Sequence, residues 1–132
     1  MRSDAFRAAA EAKDFSAVDE LFSEDVVFRS PVVFRPYEGR AALGVLLGAV
    51  VQVFEDFSYV DQVETGDAAV LVFRAKVGDR AVDGVDVLRF GDDGLITEMM
   101  VMARPLSGLN ALAEAMAKRL AEAGVPVPGV NA

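Results

Sequence analysis

The sequence predicts an α+β domain in which helices cover one face of a curved antiparallel sheet. Two helical segments come first, and four long segments of alternating polarity follow a third helix. Glycine- and aspartate-rich turns separate those four segments, as they separate the strands of β-hairpins. Helices that precede a run of hairpins, rather than alternating with single strands, are typical of α+β domains.

The helices are predicted from apolar spacing and from capping residues. Residues 3–22 contain two helices in succession, with Ser3 able to cap the first and Asp14 or Ser16 the second. The third helix, Gly39 to Phe54, is almost wholly apolar but shorter than the about 20 residues of a membrane span. We therefore expect this third helix to be buried in the domain.

A last helix is predicted over residues 106–124, where Gly124 can end it. The eight residues that follow contain two prolines and a glycine. We therefore expect one domain over residues 1–123 and a flexible C-terminal tail over residues 124–132.

The strands are predicted from alternating polarity and turn residues. One short strand precedes an irregular piece that Pro31 and Pro36 bracket, and four long strands come later. The predicted strand ranges are 25–30, 57–64, 68–77, 80–90 and 95–104.

Asp86 is the one charged residue on an otherwise apolar strand face, which it shares with Gly84 and Leu88. Burying a charged carboxylate destabilises the folded chain, and the group reduces this penalty by binding a proton or accepting a hydrogen bond. In an apolar pocket, a neutral carboxylic acid can donate a hydrogen bond or serve as an acid or base. The alternative is a structural role, in which Asp86 binds a backbone N–H or an arginine, or lies at a bulge.

Composition excludes several classes of function. The net charge of −8 argues against binding to nucleic acid or to an anionic membrane. Without cysteine there is no thiolate nucleophile, and without histidine the commonest general base and zinc ligand are missing. We expect no metal and no cofactor. The first ten residues have no apolar signal-peptide region, so we expect a cytoplasmic and, from its arginine-rich composition, bacterial protein.

Residues 3–105 resemble the nuclear-transport-factor-2-like superfamily, in its SnoaL-like and ketosteroid-isomerase branch. The resemblance is carried by the order and spacing of "DFSAVDELFSEDVVFRSP", "YEGRAAL" and "VDVLRFGDDGLITEM". It implies a cone, in which a strongly bent sheet wraps around N-terminal helices and a pocket. Members are commonly dimers, so the resemblance also implies a homodimer. Met100 and Met102, on the strand face opposite the pocket, are candidates for its interface.

The resemblance to ketosteroid isomerase implies an incomplete catalytic set. The catalytic tyrosine on the first helix corresponds to Phe6, the general-base aspartate to Ser30 and the oxyanion-hole aspartate to Asp86. A serine hydroxyl is far too weak a base for that proton transfer, so steroid isomerisation by that mechanism is not expected. The histidines of SnoaL-type cyclases and scytalone dehydratase are also absent. The charged residues of limonene epoxide hydrolase correspond to Ala69, Leu71 and Val101.

These observations lead to two hypotheses of function. In the first, the apolar pocket binds a small hydrophobic or aromatic molecule, and Asp86 is the candidate catalytic residue for isomerase-, lyase- or hydrolase-type acid/base chemistry. The second is a non-catalytic dimeric accessory module with a vestigial pocket. Tyr59 and Asp61 share a strand face; they join the pocket if that face is turned inward, but solvent or interface positions are favoured. The predicted pocket residues are Phe6, Ser30, Tyr37, Tyr59, Leu71, Phe73, Leu88, Met99 and Val101.

Overall fold

A computed structural model describes residues 1–124, and it confirms the predicted α+β class. The predicted tail lies outside the described residues, apart from Gly124. The helices are α1 Asp4–Glu11, α2 Val18–Leu21, α3 Arg40–Val53 and α4 Leu106–Glu122. The strands are β1 Phe22–Arg29, β2 Tyr37–Glu38, β3 Glu55–Thr65, β4 Ala68–Val77, β5 Arg80–Phe90 and β6 Ile96–Arg104.

The six strands form one sheet in the order β2-β1-β6-β5-β4-β3. Strands β3 to β6 are an antiparallel meander, as predicted. Strand β1 runs parallel to β6, so the expectation of a wholly antiparallel sheet is wrong at this pair. The parallel direction is possible because a long crossover, containing α3 and the meander, joins β1 to β6. The short strand β2 lies in the chain just after the piece predicted to be irregular.

The predicted strand faces are confirmed in β4 and β5. In β4 the side chains of Leu71 and Phe73 are buried, and in β5 those of Val82 and Leu88 are buried, while the intervening residues are more exposed. This alternation gives the sheet an inner face, against which the helices pack, and an outer face. The inner face and the helices enclose the hydrophobic core.

Side-chain hydrogen bonds fasten α1 to β3. Ser3 was predicted to cap α1, but its hydroxyl accepts a hydrogen bond from Gln62 Nε2 at 2.7 Å instead. Arg7 Nη1 donates to Gln62 Oε1 at 2.9 Å. Just after α1, Lys13 Nζ donates to the Phe54 carbonyl at 3.0 Å. A cation is favourable there because Phe54 ends α3, where the helix dipole is negative.

Helix α4 packs across the sheet and against α3. Its first turns come close to β5: a Cβ on Gly108 would lie 2.5 Å from the carbonyl oxygen of Ala81, so only glycine fits at this point. Leu112 and Leu120 are buried. Among the described helices, none is long and apolar enough to cross a membrane.

Candidate functional site

A cavity of about 110 Å³ lies between the inner face of the sheet and helices α1, α3 and α4. Its wall is almost wholly apolar, with helix residues such as Leu47 and Met116 facing strand residues such as Met99. Eight aromatic side chains line it: Phe6, Phe15, Phe28, Tyr37, Phe54, Phe57, Tyr59 and Phe73. Such a wall suits an apolar molecule, and a few polar groups would orient that molecule.

Asp86 is the acidic side chain in this wall. It projects from the middle of β5, between Leu71 on β4 and Val101 on β6, and is only 4% exposed. The hydroxyl of Tyr59 donates a hydrogen bond to Asp86 Oδ2 at 2.6 Å. Two polar side chains from different strands therefore meet at an apolar cavity.

The two groups of this pair differ in their protonation. Burial raises the pKa of Asp86 to about 7, although the hydrogen bond from Tyr59 acts in the opposite direction. Burial and the adjacent Asp86 carboxylate raise the pKa of Tyr59 far above its usual value. Near neutral pH, Asp86 is therefore present in both forms, while Tyr59 remains a hydrogen-bond donor.

A β-bulge in β3 places Tyr59 at the cavity. Tyr59 lies opposite Phe73, but Asp61 lies opposite Val72, so Val60 is an extra residue in the strand. The bulge reverses the alternation, and Tyr59 is buried while Asp61 is exposed. The favoured expectation of a solvent or interface position is therefore wrong for Tyr59, and Asp61 lies on the outer face.

The family model of the SnoaL-like domain matches residues 4–99. The chain belongs to the SnoaL-like family. The superfamily predicted from sequence is thereby confirmed. No functionally curated protein matches the chain in sequence.

Solved structures support the same fold for this SnoaL-like chain. A structure named as a steroid delta-isomerase from Pseudomonas aeruginosa is 41% identical, with a TM-score of 0.88 over 92% of this chain and 90% of that chain. An uncharacterised cystatin-like protein from Silicibacter pomeroyi is 32% identical, with a TM-score of 0.87 over 91% of this chain and 85% of that chain. A SnoaL-like polyketide cyclase structure, named as putative, from Jannaschia is 14% identical, with a TM-score of 0.69 over 85% and 89%, and shows the fold alone.

Most residues predicted for the pocket of the SnoaL-like domain line the cavity. With Asp86 they are Phe6, Ser30, Tyr37, Tyr59, Phe73, Met99 and Val101. Leu71 and Leu88 do not line it: both face inward, but they are fully buried in the core. An inward position on a curved sheet meets either the cavity or packed side chains, and strand alternation cannot separate the two.

Ser30 and Tyr37 line the cavity from either end of the connection between β1 and β2. The hydroxyl of Ser30 accepts a hydrogen bond from the backbone N–H of Val32 at 3.0 Å, and this bond stabilises the turn after β1. Tyr37 packs against Phe28, with ring centroids 6.2 Å apart, and partial burial raises the pKa of its hydroxyl. Both side chains reach the cavity, but within residues 1–124 neither is hydrogen-bonded to Asp86, whose partner is Tyr59.

The parts of the cavity wall that α3 and α4 supply were not predicted from the sequence. Leu112 and Met116 of α4, and Val50 of α3, line the cavity together with Lys13. A last helix was predicted over residues 106–124, but the resemblance ended at residue 105, so no residue of this helix was assigned to the pocket. Among residues 1–124, no group of three or more carboxylates is placed to hold a metal ion.

A second depression, of about 350 Å³, lies beside β6 near the outer surface. Ser30, Pro31, Val33 and Val101 line both this groove and the cavity. A single layer of residues therefore separates the two spaces. Phe34, also in the groove wall, is 98% exposed.

Proposed function

We propose that this SnoaL-like domain binds a small hydrophobic or aromatic molecule in the cavity, with Asp86 contacting its polar atom. The observation that carries the proposal is the buried Tyr59–Asp86 hydrogen bond at the wall of an apolar, aromatic-rich cavity. A buried carboxyl remains costly with a single hydrogen bond, and this one lines the cavity instead of packed core, where a ligand can supply a second partner. Tyr59 engages Oδ2, which leaves Oδ1 for a ligand.

Acid/base chemistry is compatible with this carboxyl. With its pKa raised to about 7, Asp86 can donate a proton or hydrogen bond to a carbonyl oxygen, or accept a proton, near neutral pH. Tyr59 would hold the carboxyl in one orientation through the bond to Oδ2. Isomerase-, lyase- or hydrolase-type chemistry on the bound molecule is the reaction class that this arrangement favours.

The residues that line the cavity limit the chemical class of ligand that fits. Among residues 1–124, the titratable side chains in the cavity wall are Lys13, Tyr37, Tyr59 and Asp86. The ammonium of Lys13 is engaged by the Phe54 carbonyl, so a neutral ligand with one hydrogen-bond acceptor, such as a ketone, fits better than an anion. No second carboxylate is present there to act as a separate base, which favours binding or single-group catalysis over the two-carboxyl steroid mechanism.

The size of the molecule that the cavity can hold distinguishes a ligand-binding protein from a non-catalytic accessory module. The cavity of about 110 Å³ is below the about 300–1,000 Å³ of pockets for drug-sized ligands. A steroid, suggested by the name of the 41% identical structure, would therefore require the wall to open. The small volume favours the second candidate function, a non-catalytic accessory module with a vestigial pocket.

The test is a thermal-shift screen at pH 6 with small aromatic ketones, terpenes, fatty acids, aromatic polyketides and steroids. A ligand at 100 times its Kd adds about 2.7 kcal/mol and raises Tm by about 10 °C for a chain of this size. The shift should shrink in Asp86→Asn and persist in the matched control Asp79→Asn, which changes an exposed turn residue. No shift with any class in the wild type would refute the proposal and leave the accessory module.

A further inference from the structure

Arg7 of α1 lies over the ring of Tyr59, the residue that binds Asp86. The guanidinium carbon is 5.8 Å from the ring centroid, a distance at which a cation is attracted to the face of an aromatic ring. Within residues 1–124, Arg7 is not among the side chains that line the cavity, so it would not touch a molecule bound there. The contacts run from Arg7 to the Tyr59 ring, and from the Tyr59 hydroxyl to Asp86 Oδ2 at 2.6 Å.

Hydrogen bonds to two neighbours hold the guanidinium in place. Arg7 Nη1 donates to Gln62 Oε1 at 2.9 Å, and Arg7 Nε donates to Glu11 Oε1 at 3.2 Å. Gln62 Nε2 in turn donates to Ser3 Oγ at 2.7 Å and to Asp4 Oδ1 at 2.9 Å. Both ends of the Gln62 amide are therefore engaged, which fixes its orientation and with it the position of the guanidinium.

We propose that Arg7 is a positioning residue for the Tyr59–Asp86 pair: its charge polarises the phenol, and its contact with the ring keeps the hydroxyl directed at Asp86. This role rests on the proposed function, because the pair matters to a ligand only if Asp86 contacts it. A positive charge at the ring makes the hydroxyl a stronger donor, and a stronger donor stabilises the charged carboxylate. Arg7 thus opposes burial, which favours the neutral acid.

Glu11 acts on the pair in the opposite sense. Its carboxylate accepts the hydrogen bond from Arg7 Nε and so offsets part of the positive charge beside the ring. Burial and Asp86 raise the pKa of Tyr59 most, Glu11 adds to that rise, and Arg7 opposes it. Removing one or the other charge should therefore move the titration of Asp86 in opposite directions. A solely structural role of α1 would not produce two opposite effects.

The other elements around the pair contribute little charge. Strands β4 and β6 place Leu71 and Val101 beside the carboxyl. Within residues 1–124, α3 and α4 contribute only apolar side chains to the cavity wall. The remaining titratable groups of that wall are Tyr37 and Lys13, whose ammonium is bound to a backbone carbonyl at the end of α3. The two charges on α1 are therefore the ones whose removal tests the inference.

The experiment follows the Asp86 carboxyl by carbon-13 NMR from about pH 4 to about pH 10, in aspartate-labelled protein without ligand. The signal of Asp86 is the one that Asp86→Asn removes. Over about 10 Å, with an effective dielectric constant of about 20–40, one charge moves a titration midpoint by about 0.6–1.2 pH units. Arg7→Met keeps an apolar stem and should raise the midpoint by this amount. Arg7→Lys keeps the charge and should restore at least half of the change.

Glu11→Gln keeps the shape of its side chain, loses the charge and should lower the same midpoint. The matched control is Arg80→Met, which removes one arginine at the exposed start of β5, where Arg80 pairs with Asp79. This control should leave the midpoint where it is in the wild type. Folding of each variant is checked by far-ultraviolet circular dichroism and by cooperative urea unfolding.

Midpoints that move in opposite directions in Arg7→Met and Glu11→Gln would support the inference. A midpoint unchanged in both folded variants, or moved in the same direction in both, would overturn it. If Arg7→Met does not fold, Glu11→Gln decides, because its midpoint must fall. The titration uses no ligand, so a ligand screen without a hit would refute the proposed function while these midpoints still moved, and the two failures are distinguishable.

Discussion

Replacing Asp86 by asparagine should change how stability depends on pH. The pKa of Asp86 is raised from 3.8 to about 7 in the folded chain, mainly by burial. Between these two values the unfolded chain has lost this proton while the folded chain retains it. The free energy of unfolding therefore falls as pH rises through this window, and the loss is complete only above pH 7. Asparagine has nearly the shape of the neutral acid and does not titrate.

The size of the effect follows from the two pKa values. A difference of about three units corresponds to about 4 kcal/mol over the whole titration. About 2–3 kcal/mol of this falls between pH 5 and pH 8. The chain has no histidine, so no imidazole titrates in this range. The amine of Met1 has a pKa raised by Asp4, so it stays largely protonated over most of the window.

The assay is urea unfolding of the wild type and Asp86→Asn at pH 5 and pH 8, with linear extrapolation to water. Taking the difference between the two proteins cancels the other titrating groups. We expect the variant to gain about 2–3 kcal/mol relative to the wild type on going from pH 5 to pH 8. Equal pH dependence in the two proteins would refute the reasoning, because Asp86 would then titrate alike in the folded and unfolded chains.

Three further substitutions test the Tyr59–Asp86 pair, the packing of the sheet and an open position on α3. Tyr59→Phe removes the hydrogen bond that lowers the pKa of Asp86, so that pKa should rise from its value of about 7, and the free energy of unfolding at pH 8 should fall by about 1 kcal/mol. An unchanged carboxyl titration in carbon-13 NMR would contradict this. Gly84→Ala places a Cβ 2.3 Å from Phe73 Cζ, so it should lower the free energy of unfolding, measured in urea, by about 1–3 kcal/mol. Gly48→Ala lies at an exposed position of α3, where the added Cβ meets nothing within 4 Å, so it should raise the free energy of unfolding by about 0.5–1 kcal/mol. Equal losses of stability in the two glycine variants would exclude the steric explanation.

Local patterns predicted the strands well. Strands β4 and β5 have the bounds that alternation and turn residues indicated, because hairpins depend on residues close together in sequence. The parallel pairing of β1 with β6 joins residues about 70 positions apart, as between Arg29 and Met100, and no local pattern specifies it. Helix α3 was predicted within one residue at each end, because glycine precedes it and a charged pair follows its apolar run.

The candidate site was predicted only in part. Asp86 was found because a lone charge on an apolar strand face is visible in the sequence. Its partner Tyr59 was misjudged, because one bulged residue at Val60 decides which of Tyr59 and Asp61 faces inward. The bulge has no clear signal in this sequence, since glycine is absent from the stretch.

Because only one layer of residues lies between cavity and groove, enlarging the cavity at this wall would remove few buried side chains. Ser30, Pro31 and Val33 belong to a connection between strands, and Val101 is the one sheet residue in that layer. Because Val33 and Val101 line both spaces, we expect that shortening either side chain would join them, whereas enlarging the cavity elsewhere would remove buried side chains from the sheet or helices. For the proposed ligand-binding role, changes confined to this connection would alter the length of the molecule that fits while leaving Asp86 in place.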